Sequence, residues 1–414
     1  MPTRLPLMRL LMGVLALAMM AGCASPSAPE GPAVGTEAAV EPEEPGAASP
    51  APAGEPTILR IAYQGALTGP VAFFGVPLSN AVQLAISQAH DDLLATYNID
   101  LQYLPGDDQC DPAQSPAVAR LILQDPTVVG TVGPIFGNTA NAVGQLFNDA
   151  DMAMLSFGTA AELTTFGWPY FRIIPNDDLQ ATIIAQYMVR VLGAERIALL
   201  DDGTQYGVGL ADMVAQVAQE LGAEIVVREG VDPNSDDFSS TTTKILANDT
   251  QATFMGAVVT TVAAFNRQLV DAGYTGAFFA PDGSLAPDYV ELAGPGAEGT
   301  YFTCQCSPVP AFGGPETGPL ADFVSAYTEA YDEPPAAYTA EGFDAANVFI
   351  AAIRGGARDR SAVLEFVRTH SIEGITKTYD FEPNGELGGN TINIYQVING
   401  QILWQGTSDT LIAP

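Results

Sequence analysis

Lysine is almost missing from this chain. Lys244 and Lys377 are the only two in 414 residues, and all basic side chains number 15 against 48 acidic ones. A formal net charge of -33 argues against nucleic-acid binding, because such a surface repels phosphate backbones, and against adhesion to anionic lipid. Histidine is as rare, with His90 and His370 alone. Two imidazoles leave little room for acid–base or nucleophilic triads. No G-x-S-x-G, Walker loop, HExxH or CxxC motif occurs either. The expectation is a protein that is not an enzyme and carries no cofactor or metal. Cysteines are few: Cys23, Cys110, Cys304 and Cys306.

The N-terminus reads as an export signal. Arg4 and Arg9 form a basic start, and the apolar run from Leu10 to Met19 is too short to span a bilayer. It ends at Met20-Ala21-Gly22-Cys23, which resembles a bacterial lipobox. Residues 1–22 are therefore expected to be a signal peptide and Cys23 the lipidated residue; the alternative is an ordinary signal cut at a small-residue site. Either way the protein is expected in the cell envelope, in the periplasm or on the outer face of the cytoplasmic membrane. From there to residue 56, Pro, Ala, Gly and Glu dominate and aromatics are absent. Such a segment buries too little apolar surface to fold, so residues 23–56 are expected to be a disordered tether behind a membrane anchor.

After residue 57, strand and helix signals alternate. Ile58–Tyr63 reads as a strand, 77–90 as a helix, Ile99–Leu104 as a strand, Pro112–Leu123 as a helix and Val128–Val132 as a strand. The pattern closes near Pro175 and restarts with a helix over Asp178–Leu192. This alternation predicts an α/β protein of two Rossmann-like lobes built from parallel βαβ units. The stretch Gly133–Leu163 is the centre of the reading. Two polar turns, 137–139 and 157–159, leave the carboxyl ends of neighbouring strands and enter helices. That crevice is where open α/β sheets bind ligands, with amides and hydroxyls facing an anion. Two other motifs yield to plainer readings. Gly294-Pro-Gly-Ala-Glu-Gly299 follows a helix and precedes a strand, the reverse of a dinucleotide fingerprint. Asp232-x-Asn234-x-Asp236 opens like a calcium loop, but Asp237 and Thr243 stand where its glycine and glutamate belong.

Ala66-Leu67-Thr68-Gly69-Pro70-Val71-Ala72, Cys110-Asp111-Pro112, Thr159-Ala160-Ala161-Glu162-Leu163, Gln205-Tyr206-Gly207 and Phe238-Ser239 occur in that order. Together they resemble the leucine/isoleucine/valine-type substrate-binding proteins of ABC importers, over roughly residues 58 to 400. The resemblance implies a type I periplasmic binding protein fold whose lobes are joined by a three-strand hinge. Residues 57–176 and 305–376 would form the first lobe, and 177–304 and 377–414 the second. It also implies a monomer that closes on a small ligand and delivers it to an ABC permease. The ligand is expected to be a branched-chain or other aliphatic amino acid; urea, short amides, small carboxylates and a sensory role are the alternatives. By resemblance, Asn138, Thr139 and Thr159 would face the carboxylate and Asp282 the ammonium. Phe74, Phe157, Tyr206 and Tyr338 would line the pocket. Relatives pair the cysteine at 110 with one in the 133–139 turn, but Phe136 holds that place here. Cys304 and Cys306 are then left to pair with each other or to compete for Cys110.

Overall fold

Val128–Val132 is buried at every position, which suits a parallel strand covered by helices on both faces. Its Gly130 has no room for a side chain: an added Cβ would lie 2.5 Å from the Phe349 ring. The helix carrying Phe349 therefore packs directly on this strand. The surrounding architecture follows from that contact.

The computed structural model describes residues 54–389 and 391–412. The signal segment, Cys23 and nearly all of the 23–56 tether lie outside the described residues. The first half runs β1 (Thr57–Gly65), α1 (Ala72–Tyr97), β2 (Ile99–Asp107), α2 (Ser115–Gln124), β3 (Val128–Val132), α3 (Gly137–Asn148), β4 (Met154–Ser156) and β5 (Tyr170–Arg172). These strands form a parallel sheet of order β2-β1-β3-β4-β5. The chain then enters α4 (Asp177–Gln186), β6 (Arg196–Asp201), α5 (Gln205–Glu220), β7 (Glu224–Gly230), α6 (Ser239–Ala247), β8 (Ala252–Gly256), α7 (Val259–Asp271), β9 (Ala277–Ala280), α8 (Tyr289–Ala293) and β10 (Tyr301–Cys304). It returns to the first sheet as α9 (Pro319–Tyr331), α10 (Thr339–Arg354) and α11 (Arg360–Thr369), with α10 against α1 and β3 and α11 against β3. After the short β11 (Ile372–Glu373) and β12 (Thr378–Tyr379), it ends in β13 (Asn393–Ile398), β14 (Gln401–Thr407) and α12 (Ser408–Leu411). The second sheet has order β14-β13-β10-β9-β8-β6-β7, with β13 alone running against the other strands.

Both sheets repeat one winding. The first strand of each, β1 and β6, is flanked by the second and third, so the strand order reverses beside it. At such a point neighbouring loops diverge and leave a crevice at the carboxyl ends of the strands. Two sheets of this kind present two crevices, and the chain passes between them after β5, after β10 and near β12.

Element boundaries differ from expectation in instructive places. The helix expected over 77–90 spans Ala72–Tyr97, with Pro77 inside it. Its start is carried by tertiary contact, since Phe74 packs against Phe136 and Tyr338. It stops where Asn98 adopts a left-handed conformation (φ 55) and its N–H bonds the carbonyls of Leu93 and Leu94. Near the third passage the strand is only Thr378–Tyr379, and Phe381 bridges Leu387. Among the described residues no helix is long and apolar enough to cross a membrane.

Candidate functional site

Every candidate side chain considered below sits at or just beyond a strand's carboxyl end, or at a helix start that faces one. The two turns singled out in the sequence touch each other. An added Cβ on Gly158 would lie 3.0 Å from Gly137 Cα, and one on Gly137 would lie 3.3 Å from Ala160 Cβ. Small residues let the turns meet this closely. α3 starts at Gly137 with no side-chain cap from Phe136, so the Gly137 and Asn138 amides remain available.

Arg172, at the end of β5, shapes the second turn. It is fully buried and donates to the carbonyls of Gly158 and Ala160, while Tyr170 also donates to Gly158 O at 2.6 Å. Because the peptide plane is trans, the Thr159 N–H then points away from the arginine. Arg172 Nε lies 2.8 Å from Glu386, whose other oxygen accepts from Asn176 at 2.6 Å. Asn176 in turn caps α4. One carboxylate thus ties together the turn's anchor, the first passage between sheets and the segment before β13.

Asp282 follows β9 and is buried, with three donors around it. Gln180 Nε2 (2.8 Å) and the Tyr206 hydroxyl (2.7 Å) reach Oδ1, and the Tyr338 hydroxyl (2.7 Å) reaches Oδ2. Tyr338 precedes α10 in a left-handed conformation (φ 66), uncommon for an aromatic residue. Burial, then the Asp282 charge, pushes the Tyr206 and Tyr338 hydroxyls well above the usual tyrosine range, so both are donors at neutral pH.

The orientation of the network follows from Asp282 outward. Gln180 must present its NH2 to the carboxylate, so its Oε1 faces Gln305. Gln305 must therefore donate to it, at 3.1 Å, and turn its own Oε1 to the Tyr338 hydroxyl at 2.9 Å. One tyrosine proton now serves two acceptors. The network is a proton donor short.

A second carboxylate stands nearby. Asp177, first residue of α4, is buried and its Oδ1 has no hydrogen-bond partner. Burial pushes it up to about 7; the Asp282 charge adds to this, while the Thr159 side chain and Arg172 oppose it. Phe74, Phe157 and Tyr338 form an aromatic wall, the tyrosine ring centre lying 6.4 Å from Phe74 and 6.0 Å from Phe157.

Five of the expected residues thus come together: Phe74, Phe157, Tyr206, Asp282 and Tyr338. Thr159 joins them through its turn and through its effect on Asp177. Asn138 and Thr139 are engaged locally: Asn138 is exposed with its Oδ1 on the Thr139 N–H, and the Thr139 hydroxyl donates to Phe136 O. Asp177, Gln180, Arg172 and Gln305 were not anticipated. Asp177 and Gln180 look like an ordinary helix start, and only their position opposite Asp282 distinguishes them. Gln305 did carry a signal, standing between two cysteines. Those cysteines are joined to each other, and Cys110 is free and buried. Among the described residues no cluster of His, Cys, Asp and Glu has the makings of a metal site.

A family model described as periplasmic binding protein matches residues 58–401. The leucine-, isoleucine-, valine-, threonine- and alanine-binding protein of Pseudomonas aeruginosa is 26% identical over 341 residues, covering 82% of this chain and 89% of its own. The Leu/Ile/Val-binding protein of Escherichia coli is 24% identical over 342 residues, covering 81% and 90%. Among solved structures, a leucine-binding protein of Thermotoga maritima matches with TM-score 0.74 at 24% identity, covering 84% of this chain and 98% of its own. A branched-chain amino acid transporter substrate-binding protein of Streptococcus pneumoniae, in complex with isoleucine, matches with TM-score 0.74 at 20% identity, covering 85% and 99%. The shared architecture is the type I periplasmic binding protein fold. With the match running from β1 into β14, this chain belongs to the periplasmic binding protein family.

Proposed function

We propose that this protein is an extracytoplasmic solute-binding lipoprotein that captures an aliphatic amino acid and hands it to an ABC permease, without any chemical step. The observation that carries the reading is the acid pair. Asp177 and Asp282 are both buried, and neither has a lysine or arginine among its hydrogen-bond partners. Arg172 offsets the Asp177 charge only through space, and burying carboxylates with no directly bonded counter-charge is costly, so the cleft suits a ligand that brings its own cation. An ammonium group supplies the donors that Asp177 Oδ1 and the Tyr338–Gln305 pair lack. The free amides beside Gly137 and Thr159 suit the ligand's carboxylate. The aromatic wall suits an apolar side chain. Relatives named for leucine, isoleucine and valine, and a fold neighbour holding isoleucine, support the ligand class.

A thermal-shift screen of the mature protein against amino acids, urea, short amides and small carboxylates tests this reading. A ligand at a hundred times its dissociation constant adds about 2.7 kcal/mol to the folded state. Leucine, isoleucine or valine should raise the melting temperature. Stabilisation by amine-free acids or amides alone would refute the ammonium site. The lipid anchor has its own test: Cys23→Ala should move the protein out of the membrane fraction, and persistence there refutes it.

A further inference from the structure

We propose that Gln305 is a positioning residue of the ligand site, and that the Cys304–Cys306 disulfide closing around it makes ligand affinity depend on redox state. The proposal rests on the binding-protein reading above.

Cys304 ends β10, and its partner stands two residues on, so the disulfide closes a small ring with Gln305 at its apex. The ring lies where the chain leaves the second sheet, and its surroundings fix it from both sides. On the second sheet, the Cys306 carbonyl accepts from Asn393 Nδ2 at 2.9 Å and from the Tyr395 hydroxyl at 3.3 Å. Towards the first, the Ser307 N–H and hydroxyl both donate to Glu341 of α10, at 2.7 and 2.8 Å. Between these anchors the Gln305 side chain is buried and bonds Gln180 and Tyr338. Those two residues are donors to Asp282, one from each half of the cleft.

Gln305 touches the acid only through them, so it acts by orienting its donors. A passage between sheets must flex when the cleft opens, and a flexible Gln305 would have to be re-ordered at each closure. The ring removes that freedom in advance, and pre-organisation of this kind appears as affinity. Reduction returns it. A dithiol attacks one sulfur, the S–S bond breaks and frees the other cysteine as its thiolate, and a mixed disulfide forms; the dithiol's second thiolate then displaces the cysteine first attacked. Each cysteine ends with one proton, and the dithiol leaves as its own cyclic disulfide.

Isothermal titration of the wild-type protein with L-leucine, before and after dithiothreitol, reads the effect. Free-thiol titration and a melting curve accompany each sample. Reduction should reveal two further thiols, leave unfolding cooperative and weaken leucine about tenfold, the scale of one lost hydrogen-bonded contact. Re-oxidation should restore the affinity. Gln305→Ala should show the same loss while still oxidised and no further change on reduction, which a purely structural disulfide would not produce. Gln305→Glu keeps the acceptor for Tyr338 but not the donor to Gln180, and should bind more weakly than wild type. Cys304→Ser with Cys306→Ser should match the reduced protein. Equal affinity in both redox states, a Gln305→Ala protein that still responds to reduction, or a thiol count that reduction does not raise by two would overturn the proposal. If leucine, isoleucine and valine bind neither form, the amino-acid reading fails by itself. Hydrogen exchange then decides: reduction must speed exchange of amides 304–307 and 338–342 several-fold, and unchanged exchange refutes the positioning role.

Discussion

The Tyr338 hydroxyl, carried by α10 beside the first sheet, lies 2.7 Å from Asp282 at the end of β9 in the second. It is a polar contact made directly across the cleft, to a buried acceptor. Its donor also faces Gln305, so the same proton links this contact to the passage after β10.

Tyr338→Phe removes that contact while keeping the aromatic wall. Hydrogen bonds to charged groups contribute about 1.5–3 kcal/mol, so leucine affinity should fall by roughly ten- to a hundredfold. Small-angle scattering of the ligand-free protein should show a larger radius of gyration than wild type. Unchanged radius and affinity together would remove Tyr338 from the closing mechanism.

Asp282→Asn keeps an acceptor for Tyr206 but removes the charge. Truncating one side of a buried charge pair costs about 2–5 kcal/mol, much of it from stranding the partner. Calorimetry with leucine should show a loss of that size. A variant that binds normally would detach Asp282 from the ammonium.

Asp177 should make the ligand-free protein less stable as pH rises. Its carboxyl is held at about 7 against an ordinary 3.8. The native state therefore binds the extra proton between those values, and stability is fully present below the lower one and lost as pH climbs through the higher. The ceiling is about 4 kcal/mol, at 1.36 kcal/mol per pKa unit. Denaturant melts at pH 5 and pH 7.5 should differ in that sense, and Asp177→Asn should flatten the difference. An ammonium ligand needs the ionised form, so binding near pH 6 should release a proton, visible as buffer-dependent heat.

Glu386→Gln tests the clamp behind the binding turn. It leaves the fully buried Arg172 without its counter-charge, and Glu386 is itself 22% exposed. Breaking a buried pair costs about 3–5 kcal/mol, and the partial exposure places this one at the lower end. Urea denaturation should show the loss, with weaker leucine binding as the turn loosens. An unchanged midpoint would mean the backbone holds the turn unaided.

Much of the fold is local in origin. Thr57–Gly65, Ile99–Asp107 and Val128–Val132 are strands where the apolar and β-branched patterns predict them. Alternation of such elements is enough to specify parallel sheets, because each βαβ unit is defined within a short span of chain. Phe74, Phe157, Tyr206, Asp282 and Tyr338 were named from the resemblance to the leucine/isoleucine/valine-type binding proteins, which the alternation of elements alone does not supply. Asp177 and Gln180 were not legible, and Gln305 was marked only by the cysteines on either side of it, because their role is relational. A carboxylate at a helix start, or a glutamine after a strand, is unremarkable until folding sets it against another charge or amide across the cleft. The same holds for the cysteines: pattern left three pairings open, and the distance between Cys304 and Cys306 settled them. Short-range periodicity thus determined which strands and helices exist. The placement of one acid beside another, and of the donors that orient them, depended on contacts between residues more than a hundred positions apart, which no local pattern encodes.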